Sequence, residues 1–315
     1  MNWKKEVAHL LETTDLSQRA IAKHLGIPKS TVNDFIRATF GLSDEIQRGL
    51  PCKNSGPKVL IFDIETAPVL GYVWSLWKQN VGLNQIKEDW FVLSYAAKWY
   101  GESSVYYEDQ RFADNIEDDR EILEGIWELL DEADIVITHN GKRFDSKKLN
   151  ARFILNGMKP PRSYRHIDTL EISKKHFAFT SNRLAYLTAK LCTDTQKSAH
   201  ANFSGFDLWA ECLKGNPEAW QEMEEYNIDD VKSLEELYNI LSPWANSLPN
   251  FDVYHSGLTN EDLTGSMTLV PDGYVYTNLG KYQRYVCKKT GRELRGRVNL
   301  LSKDKRSTLK SNVVG

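Results

Sequence analysis

Long apolar runs and helical apolar periods alternate through the middle of the chain. Residues 58–66, KVLIFDIET, and residues 134–140, DIVITHN, are nearly continuous apolar runs, which are typical of strands buried on both faces of a sheet. Residues 91–100 and 104–109 have the composition of neighbouring strands. Between these strands, residues 117–133 repeat apolar side chains at helical spacing. The pattern therefore predicts a sheet covered by helices.

Helical periods dominate the second half of the same region. They cover residues 144–157, 169–177, 182–191 and 217–241. Strands followed by helices predict an α/β domain over residues 58–245, with a mixed sheet of about five strands flanked by helices.

Residues 1–48 contain a pattern of short helices. In LSQRAIAKHLGIPKSTVNDFIRATFG, Gly26 separates two helical periods and Pro28 suits the first turn of the second. A short helix, a glycine turn and a second helix with polar outward positions predict a small all-α helix-turn-helix domain that binds DNA. An ordinary helical hairpin used only for packing is the alternative. The predicted groove-facing residues are Lys29, Ser30, Thr31, Asn33 and Arg37.

Charge is distributed unevenly along the 315 residues. Residues 51–256 hold 22 Lys and Arg against 32 Asp and Glu, a net charge of −10. Residues 257–315 hold 11 against five, a net charge of +6. An acidic middle beside a basic end suggests a carboxylate-rich metal site next to a segment that binds a polyanion. Solvated helix faces account for most of the acidic residues.

Composition restricts the class of protein. The chain has no run of about 18 apolar residues, so no membrane span is expected. The charged N-terminus does not have the pattern of a signal peptide, and the four cysteines form no CxxC pair. We therefore expect a cytoplasmic protein without disulfides. Residues 49–57, GLPCKNSGP, are typical of a linker.

The clearest candidate chemistry is a set of carboxylates. Asp63 and Glu65 stand two residues apart at the end of the first strand, so both side chains lie on the same side of it. Two acids there are costly unless a cation is bound, and hard cations such as Mg²⁺ prefer oxygen ligands. Asp145 follows a later strand in THNGKRFD and opens a helix, where it could equally serve as an N-terminal helix acid.

The third acidic motif is YNIDDV, residues 226–231. On a helix that turns about 100° per residue, Tyr226 and Asp230 share a stripe with the apolar Leu234. Asp229 lies about 100° away, on a face rich in glutamate. The helix therefore predicts that Asp230 faces inward and Asp229 faces solvent.

The three motifs, in this order, resemble the DEDD superfamily of 3′–5′ exonucleases, in the subclass with tyrosine in the third motif. Over residues 58–242 the chain is similar to the proofreading exonuclease domains of DNA polymerases and to ribonuclease D. The resemblance implies a ribonuclease-H-like fold and two bound divalent metal ions, Mg²⁺ or Mn²⁺. It also implies that Tyr226 orients the attacking water and that His166 and Asp168 are structural. The implied metal ligands are Asp63, Glu65, Asp145 and Asp230.

Residues 257–302 resemble a degenerate zinc ribbon. Cys287 fills one ligand place, but Thr290 stands where its partner belongs and no upstream CxxC pair precedes it, so zinc is not expected. Basic and aromatic residues alternate here, which predicts a small β module that contacts nucleic acid, with a solubilising tail as the alternative. The predicted contacts are Arg284, Lys288, Lys289, Arg292 and Arg295. Residues 303–315 are expected to be a disordered tail.

Trp74, Trp77 and Trp90 lie in a segment without a clear period. We expect them in the core, with a platform for base stacking as the alternative.

Together these patterns predict a metal-dependent 3′–5′ exonuclease that hydrolyses DNA by a two-metal mechanism. Single-stranded DNA is the expected substrate, and duplex DNA and RNA stay open. Two alternatives are a DNA-binding regulator on a nuclease-like scaffold and an endonuclease or RNA-processing enzyme of the same fold. Association with a separate DNA polymerase, or with replication or recombination machinery, is a further possibility.

Overall fold

The computed structural model describes residues 3–13, 18–28, 31, 32, 35, 56–78, 80–195, 202–254 and 269–311. The chain divides into two compact units, Met1–Ser55 and Gly56–Gly315. No helix in the described ranges is both long enough and apolar enough to cross a membrane.

In the described part of the N-terminal unit, α1 (Trp3–Thr13) and α2 (Gln18–Leu25) are helices, and residues 31, 32 and 35 are also helical. Gly26 ends α2 with a φ of 64°, a left-handed conformation that glycine adopts without steric cost. Val7, Ile21, Ala22 and Val32 form its buried core. The predicted turn after α2 is therefore present. Of the predicted groove-facing residues, Thr31 is half-buried, and the other four lie outside the described residues.

The second unit carries most of the secondary structure. Its strands are β1 (Val59–Thr66), β2 (Leu70–Gly71), β3 (Ile86–Glu88), β4 (Val92–Trp99), β5 (Tyr106–Asp109), β6 (Ile135–Thr138), β7 (Arg165–Asp168), β8 (Leu269–Thr277), β9 (Gly280–Cys287) and β10 (Glu293–Asn299). Its helices are α3 (Arg120–Glu132), α4 (Asp145–Leu155), α5 (Thr169–His176), α6 (Leu184–Leu191), α7 (Asp207–Leu213), α8 (Pro217–Leu241) and α9 (Lys303–Thr308). Short 3₁₀ turns occupy Leu83–Gln85, Ser242–Trp244 and Phe251–Tyr254.

The main sheet has five strands in the order β5–β4–β1–β6–β7. β1 pairs antiparallel with β4 and parallel with β6, β4 pairs antiparallel with β5, and β6 pairs parallel with β7. The predicted mixed sheet of about five strands flanked by helices is confirmed. The sequence pattern missed β7 and α7, which span only four and seven residues, and the short strands β2 and β3.

β1 lies at the centre of the sheet and is buried on both faces. Ile61 packs into one core with Val231 of α8, together with residues of α5 and α6. Leu60 and Phe62 pack into the opposite core with Leu149 of α4, together with residues of α3. Successive strand residues point to opposite faces, so one apolar run serves two cores. The result is a sheet between two helical layers.

Among the helices that the structure describes, α8 is the longest, and it crosses the sheet next to β1 and β4. The side chain of Asn216 accepts a hydrogen bond from the Glu218 amide at 3.0 Å, and Pro217 occupies the first turn. At the far end, Glu235 pairs with the buried Lys98 of β4 and accepts a hydrogen bond from the Gly101 amide at 2.6 Å. These contacts fix both the start of the helix and its position along the sheet.

A two-stranded ribbon of β2 and β3 leaves the sheet directly after β1. Its last rung joins the Tyr72 amide to the Gln85 carbonyl at 2.8 Å. Trp74 and Trp77 follow that rung and are 95% and 82% exposed. The expectation that these two tryptophans lie in the core is therefore wrong, because the ribbon carries them beyond the packed layers. Trp90 is half-buried, and the Lys148 amine lies 3.6 Å from its ring centroid.

The predicted C-terminal β module is an antiparallel sheet in the order β10–β9–β8. Arg292 is buried and donates a hydrogen bond to the Ala245 carbonyl at 3.3 Å. Its assignment as a surface contact to nucleic acid is wrong, because the turn between β9 and β10 directs the guanidinium inward.

The expectation of a disordered tail from residue 303 is also wrong for residues 303–308, which form α9. The Ser302 hydroxyl accepts a hydrogen bond from the Lys305 amide at 3.1 Å and caps this helix.

A buried ion pair joins three elements behind the sheet. Asp119 is fully buried and accepts hydrogen bonds from the Arg152 guanidinium of α4 at 2.6 and 2.7 Å. It also accepts from the Val92 amide, which opens β4, at 3.0 Å. Because Asp119 immediately precedes α3, one carboxylate fixes α3, α4 and β4 to each other.

We expect Asp119→Ala to lower the free energy of unfolding by about 3–5 kcal/mol, because it leaves the mostly buried guanidinium of Arg152 without its counter-charge. Urea denaturation measures this loss. Glu124→Ala is the matched control, since it removes an exposed pair with Arg120 at 3.4 Å and should cost under about 0.5 kcal/mol. Equal losses of unfolding free energy in the two variants would contradict the role of Asp119 in fixing α3, α4 and β4 to each other.

Candidate functional site

Two carboxylates stand at the end of β1. Asp63 and Glu65 alternate with the buried Phe62 and Ile64, and both remain partly exposed. The Asn227 amide of α8 donates a hydrogen bond to Asp63 Oδ2 at 3.0 Å. The Trp209 indole of α7 donates to Glu65 Oε2 at 3.1 Å. Neighbouring helices therefore hold both carboxylates in place.

Asp145 joins this end of β1 from α4. Its carboxylate is buried and accepts a hydrogen bond from the Ile64 amide, between Asp63 and Glu65, at 3.3 Å. Burial raises the pKa of Asp145 to about 7, with a further increase from the charge of Asp168. Asp145 thus lies with Asp63 and Glu65 and is not a solvent-exposed acid at the start of a helix.

The loop before Asp145 has a backbone conformation that few residue types can adopt. Asn140 has a φ of 70°, and a Cβ at Gly141 would overlap the Thr138 side chain. Asp168 holds the loop by accepting hydrogen bonds from the Asn140 amide at 2.8 Å and the Lys142 amide at 3.2 Å. It also caps α5 through the Leu170 amide at 3.0 Å. Asp168 therefore supports the loop, as the resemblance implied.

The two histidines near the loop are both held in structural contacts. His139 Nε2 lies 2.9 Å from the Asn182 carbonyl, which can only accept, so this nitrogen carries the proton. Burial lowers the pKa of His139. His166 Nε2 lies 2.8 Å from Thr138 Oγ1, and burial lowers its pKa to about 4. His166 is therefore neutral near pH 7 and is held by the Thr138 side chain, and a structural role for it stays a prediction.

α8 contributes Tyr226 and Asp230 from one face. Asp230 is buried whereas Asp229 is partly exposed, so the predicted inward direction of Asp230 is confirmed. Burial raises the pKa of Tyr226 above its usual range, and the nearby charges of Asp230, Glu65 and Asp63 raise it further, as does a hydrogen bond to Asp230. The phenol is therefore close enough to these three carboxylates for their charges to affect its pKa. The Tyr226 ring also packs edge-on against Trp209, with centroids 6.2 Å apart.

Comparison with known families shows the superfamily of the chain. A family model of the RNase H superfamily matches residues 80–242. The chain belongs to the RNase H superfamily. The matched range contains Asp145, Tyr226 and Asp230 but begins after β1, so it leaves out Asp63 and Glu65. Membership in this superfamily supports nuclease activity in general terms.

Solved structures include a similar chain, the family B DNA polymerase from the hyperthermophilic archaeon Pyrobaculum calidifontis. It is 16% identical, with a TM-score of 0.43 over 62% of this RNase H superfamily chain. The match covers 25% of the polymerase chain. No curated protein matches this chain.

Sequence reasoning missed two residues of the site in this RNase H superfamily protein. Asn227 is fully buried and accepts a hydrogen bond from the Ser94 hydroxyl at 3.1 Å while donating to Asp63. Its signal in the sequence was a single amide on the same helical stripe as Met223. Trp209 gave no signal, because its helix was not predicted.

The carboxylates fit a divalent cation in the chemistry of their donors. All four are oxygen ligands of the kind that Mg²⁺ and Mn²⁺ prefer, and the burial of Asp145 makes a nearby positive charge favourable. Within the described ranges, no three His, Cys, Asp or Glu side chains form a cluster that could hold a metal ion as placed.

The basic residues assigned to nucleic-acid contact differ in their surroundings. Lys288, Lys289 and Arg295 are exposed, and the Arg295 guanidinium lies 4.6 Å from the Tyr282 ring centroid. Arg284 forms ion pairs with Asp272 at 2.8 Å and Glu293 at 3.2 Å. Its charge is thus already neutralised within the sheet.

We expect Asn227→Ala to lower the free energy of unfolding by about 1–3 kcal/mol, because it leaves the buried Ser94 hydroxyl without its acceptor. It should also lower nuclease activity, because Asp63 loses the amide that orients it. Thermal denaturation and a cleavage assay measure the two effects. Asn239→Ala is the control on the same helix, since the side-chain oxygen of Asn239 accepts a solvent-exposed hydrogen bond from the Tyr100 hydroxyl at 2.7 Å. Similar losses of both stability and activity in the control would contradict a positioning role for Asn227.

Proposed function

We propose that the chain is a metal-dependent 3′–5′ exonuclease that hydrolyses DNA, with a single-stranded 3′ end as its substrate. The observation that carries the proposal is the meeting of β1, α4 and α8 at one place. The charges of Asp63, Glu65 and Asp230 raise the pKa of Tyr226. The Asp145 carboxylate accepts a hydrogen bond from the backbone amide of Ile64, which lies between Asp63 and Glu65. Carboxylates grouped beside a phenol suit phosphodiester hydrolysis.

Asp63, Glu65, Asp145 and Asp230 are the residues that would hold the ions. RNase H-like nucleases generally use divalent metals, and we propose two ions, Mg²⁺ or Mn²⁺. When bound, they would supply positive charge for the phosphate and lower the pKa of the attacking water.

Tyr226 has a separate role in this proposal. Its pKa is raised, so the phenol keeps its proton near pH 7 and can position a water molecule by hydrogen bonding rather than accept a proton from it. Asn227 and Trp209 orient Asp63 and Glu65 through the bonds described above. The chain's own residues thus fix the carboxylates and direct the water.

The choice of DNA rests on the N-terminal unit. A short helix that ends at Leu25, with Gly26 directly after it, and a following turn at Pro28 support a helix-turn-helix, and duplex DNA binding by this unit stays a prediction. RNA as a substrate also stays open, because carboxylates do not distinguish the sugars. Association with a separate DNA polymerase, or with replication or recombination machinery, stays a prediction as well.

The two neighbouring aspartates of α8 provide a sharp test. Asp230→Asn should lower metal-dependent cleavage by more than about 100-fold. Even the mutation of a residue that only hydrogen-bonds to a metal ligand typically lowers metal affinity or activity by about 10- to 100-fold. Asp229→Asn removes the same charge from the same helix, but from a partly exposed position, and should change the rate less than about twofold. Circular dichroism checks that both variants fold. A folded Asp230→Asn variant with full activity would exclude the assignment.

The direction of degradation is tested with labelled strands. Single- and double-stranded DNA and RNA, labelled at the 5′ end, are incubated with the protein and Mn²⁺. We expect a ladder of single-nucleotide steps that shortens DNA from its 3′ end. Internal cuts would instead establish an endonuclease, and binding without cleavage by the folded protein would establish a regulator on a nuclease scaffold.

A further inference from the structure

The C-terminal sheet has two different faces. β8 pairs with β9 in a register that sets Tyr274 opposite Gln283 and Tyr276 opposite Lys281. Paired residues in antiparallel strands lie on one face, and residues two apart share that face. Tyr274, Tyr276 and Lys281 therefore share one side of the sheet, which we call the tyrosine face.

The tyrosine face is accessible. Tyr274 and Tyr276 are 50% and 69% exposed, and the Lys281 amine lies 3.8 Å from the Tyr274 ring centroid and 5.9 Å from that of Tyr276. The cation over the Tyr274 ring shows that its π-surface attracts positive charge, and both rings stay at least half exposed beside it, whereas Tyr282 is less exposed. The lysine stem is flexible enough to exchange the ring for another partner.

The opposite face of the sheet has fewer side chains available for contact with a partner. Tyr282 is covered by the Arg295 guanidinium, and the Arg284 guanidinium is held by Asp272 and Glu293. The residues that the sequence pattern favoured on this side are therefore partly engaged within the sheet.

The charge around the sheet limits the kinds of partner. Residues 269–311 hold 11 Lys and Arg against three Asp and Glu, a net charge of +8. A polyanion complements this charge, and exposed aromatic rings add affinity only for a polyanion that carries planar groups. Single-stranded nucleic acid meets both conditions, whereas the bases of a duplex are already stacked on one another.

We propose that the tyrosine face binds single-stranded nucleic acid, with bases stacked on Tyr274 and Tyr276 and a backbone phosphate on Lys281. The proposal rests on the function proposed above only in that the bound strand is the nuclease substrate. The face would then hold the strand independently of the carboxylate site.

The test is an equilibrium binding measurement on the full chain in EDTA, so that cleavage does not contribute. The probe is a fluorescein-labelled 20-nucleotide oligo-dT, compared with oligo-U and with a 20-base-pair DNA duplex. Either Tyr274→Ser or Tyr276→Ser should weaken single-strand binding by about tenfold, and the double variant by more, because stacking is worth about 1–3 kcal/mol per base. Duplex binding should change less than about twofold.

Three further variants separate stacking from charge and from folding defects. Tyr276→Phe keeps the ring and should bind like the unaltered protein. Lys281→Gln should reduce the slope of log affinity against log salt by about 0.7, the value for one phosphate contact to a single strand. Tyr106→Ser removes an exposed tyrosine from β5 of the main sheet and is the matched control, with unchanged affinity expected.

The proposal fails if the double variant, folded by circular dichroism, binds oligo-dT and oligo-U as tightly as the unaltered protein. It also fails if duplex and single-strand affinity fall equally, or if Tyr106→Ser weakens binding to the same extent. This readout is independent of the nuclease assignment. Loss of binding in a protein that does not cleave would leave the tyrosine face standing and overturn only the proposed activity.

Discussion

The packing of α8 across β1 and β4 is the constraint on which the rest of the site depends. The buried Asn227 bridges the Ser94 hydroxyl and the Asp63 carboxylate, and the Glu235–Lys98 pair fixes the helix further along the sheet. A shift of α8 by one residue would turn Tyr226 and Asp230 about 100° away from the acids of β1. Buried polar contacts of this kind are costly to leave unpaired, so they favour one register over others of similar apolar burial.

The carboxylates of the site lie in unequal surroundings. Asp145 and Asp230 are buried, whereas Asp63 and Glu65 remain partly exposed and are oriented by an amide and an indole. Burial disfavours the ionised form of Asp145, which is the physical reason that its pKa rises. A group of acids that the fold keeps close together is electrostatically unfavourable by itself. Such a group is consistent with a site whose full set of charges includes a bound cation.

Two surfaces of the protein expose aromatic side chains that the core does not cover. The ribbon after β1 exposes Trp74 and Trp77, and the C-terminal sheet exposes Tyr274 and Tyr276. Only the sheet combines its aromatic rings with a strong excess of positive charge, since residues 69–83 contain a single charged side chain, Lys78. For that reason nucleic-acid binding is proposed for the sheet rather than for the ribbon.

The sequence by itself determined four of the five strands of the main sheet and the long helices that cover it, because continuous apolar runs and a strict helical period report burial directly. It also separated Asp230 from Asp229, because the helical period assigns each residue to a face. It could not place Asn227, Trp209 or Arg292, whose positions depend on contacts with distant segments. Trp74 and Trp77 are the clearest case: their apolar character predicts burial, but only the tertiary structure decides whether another layer covers them.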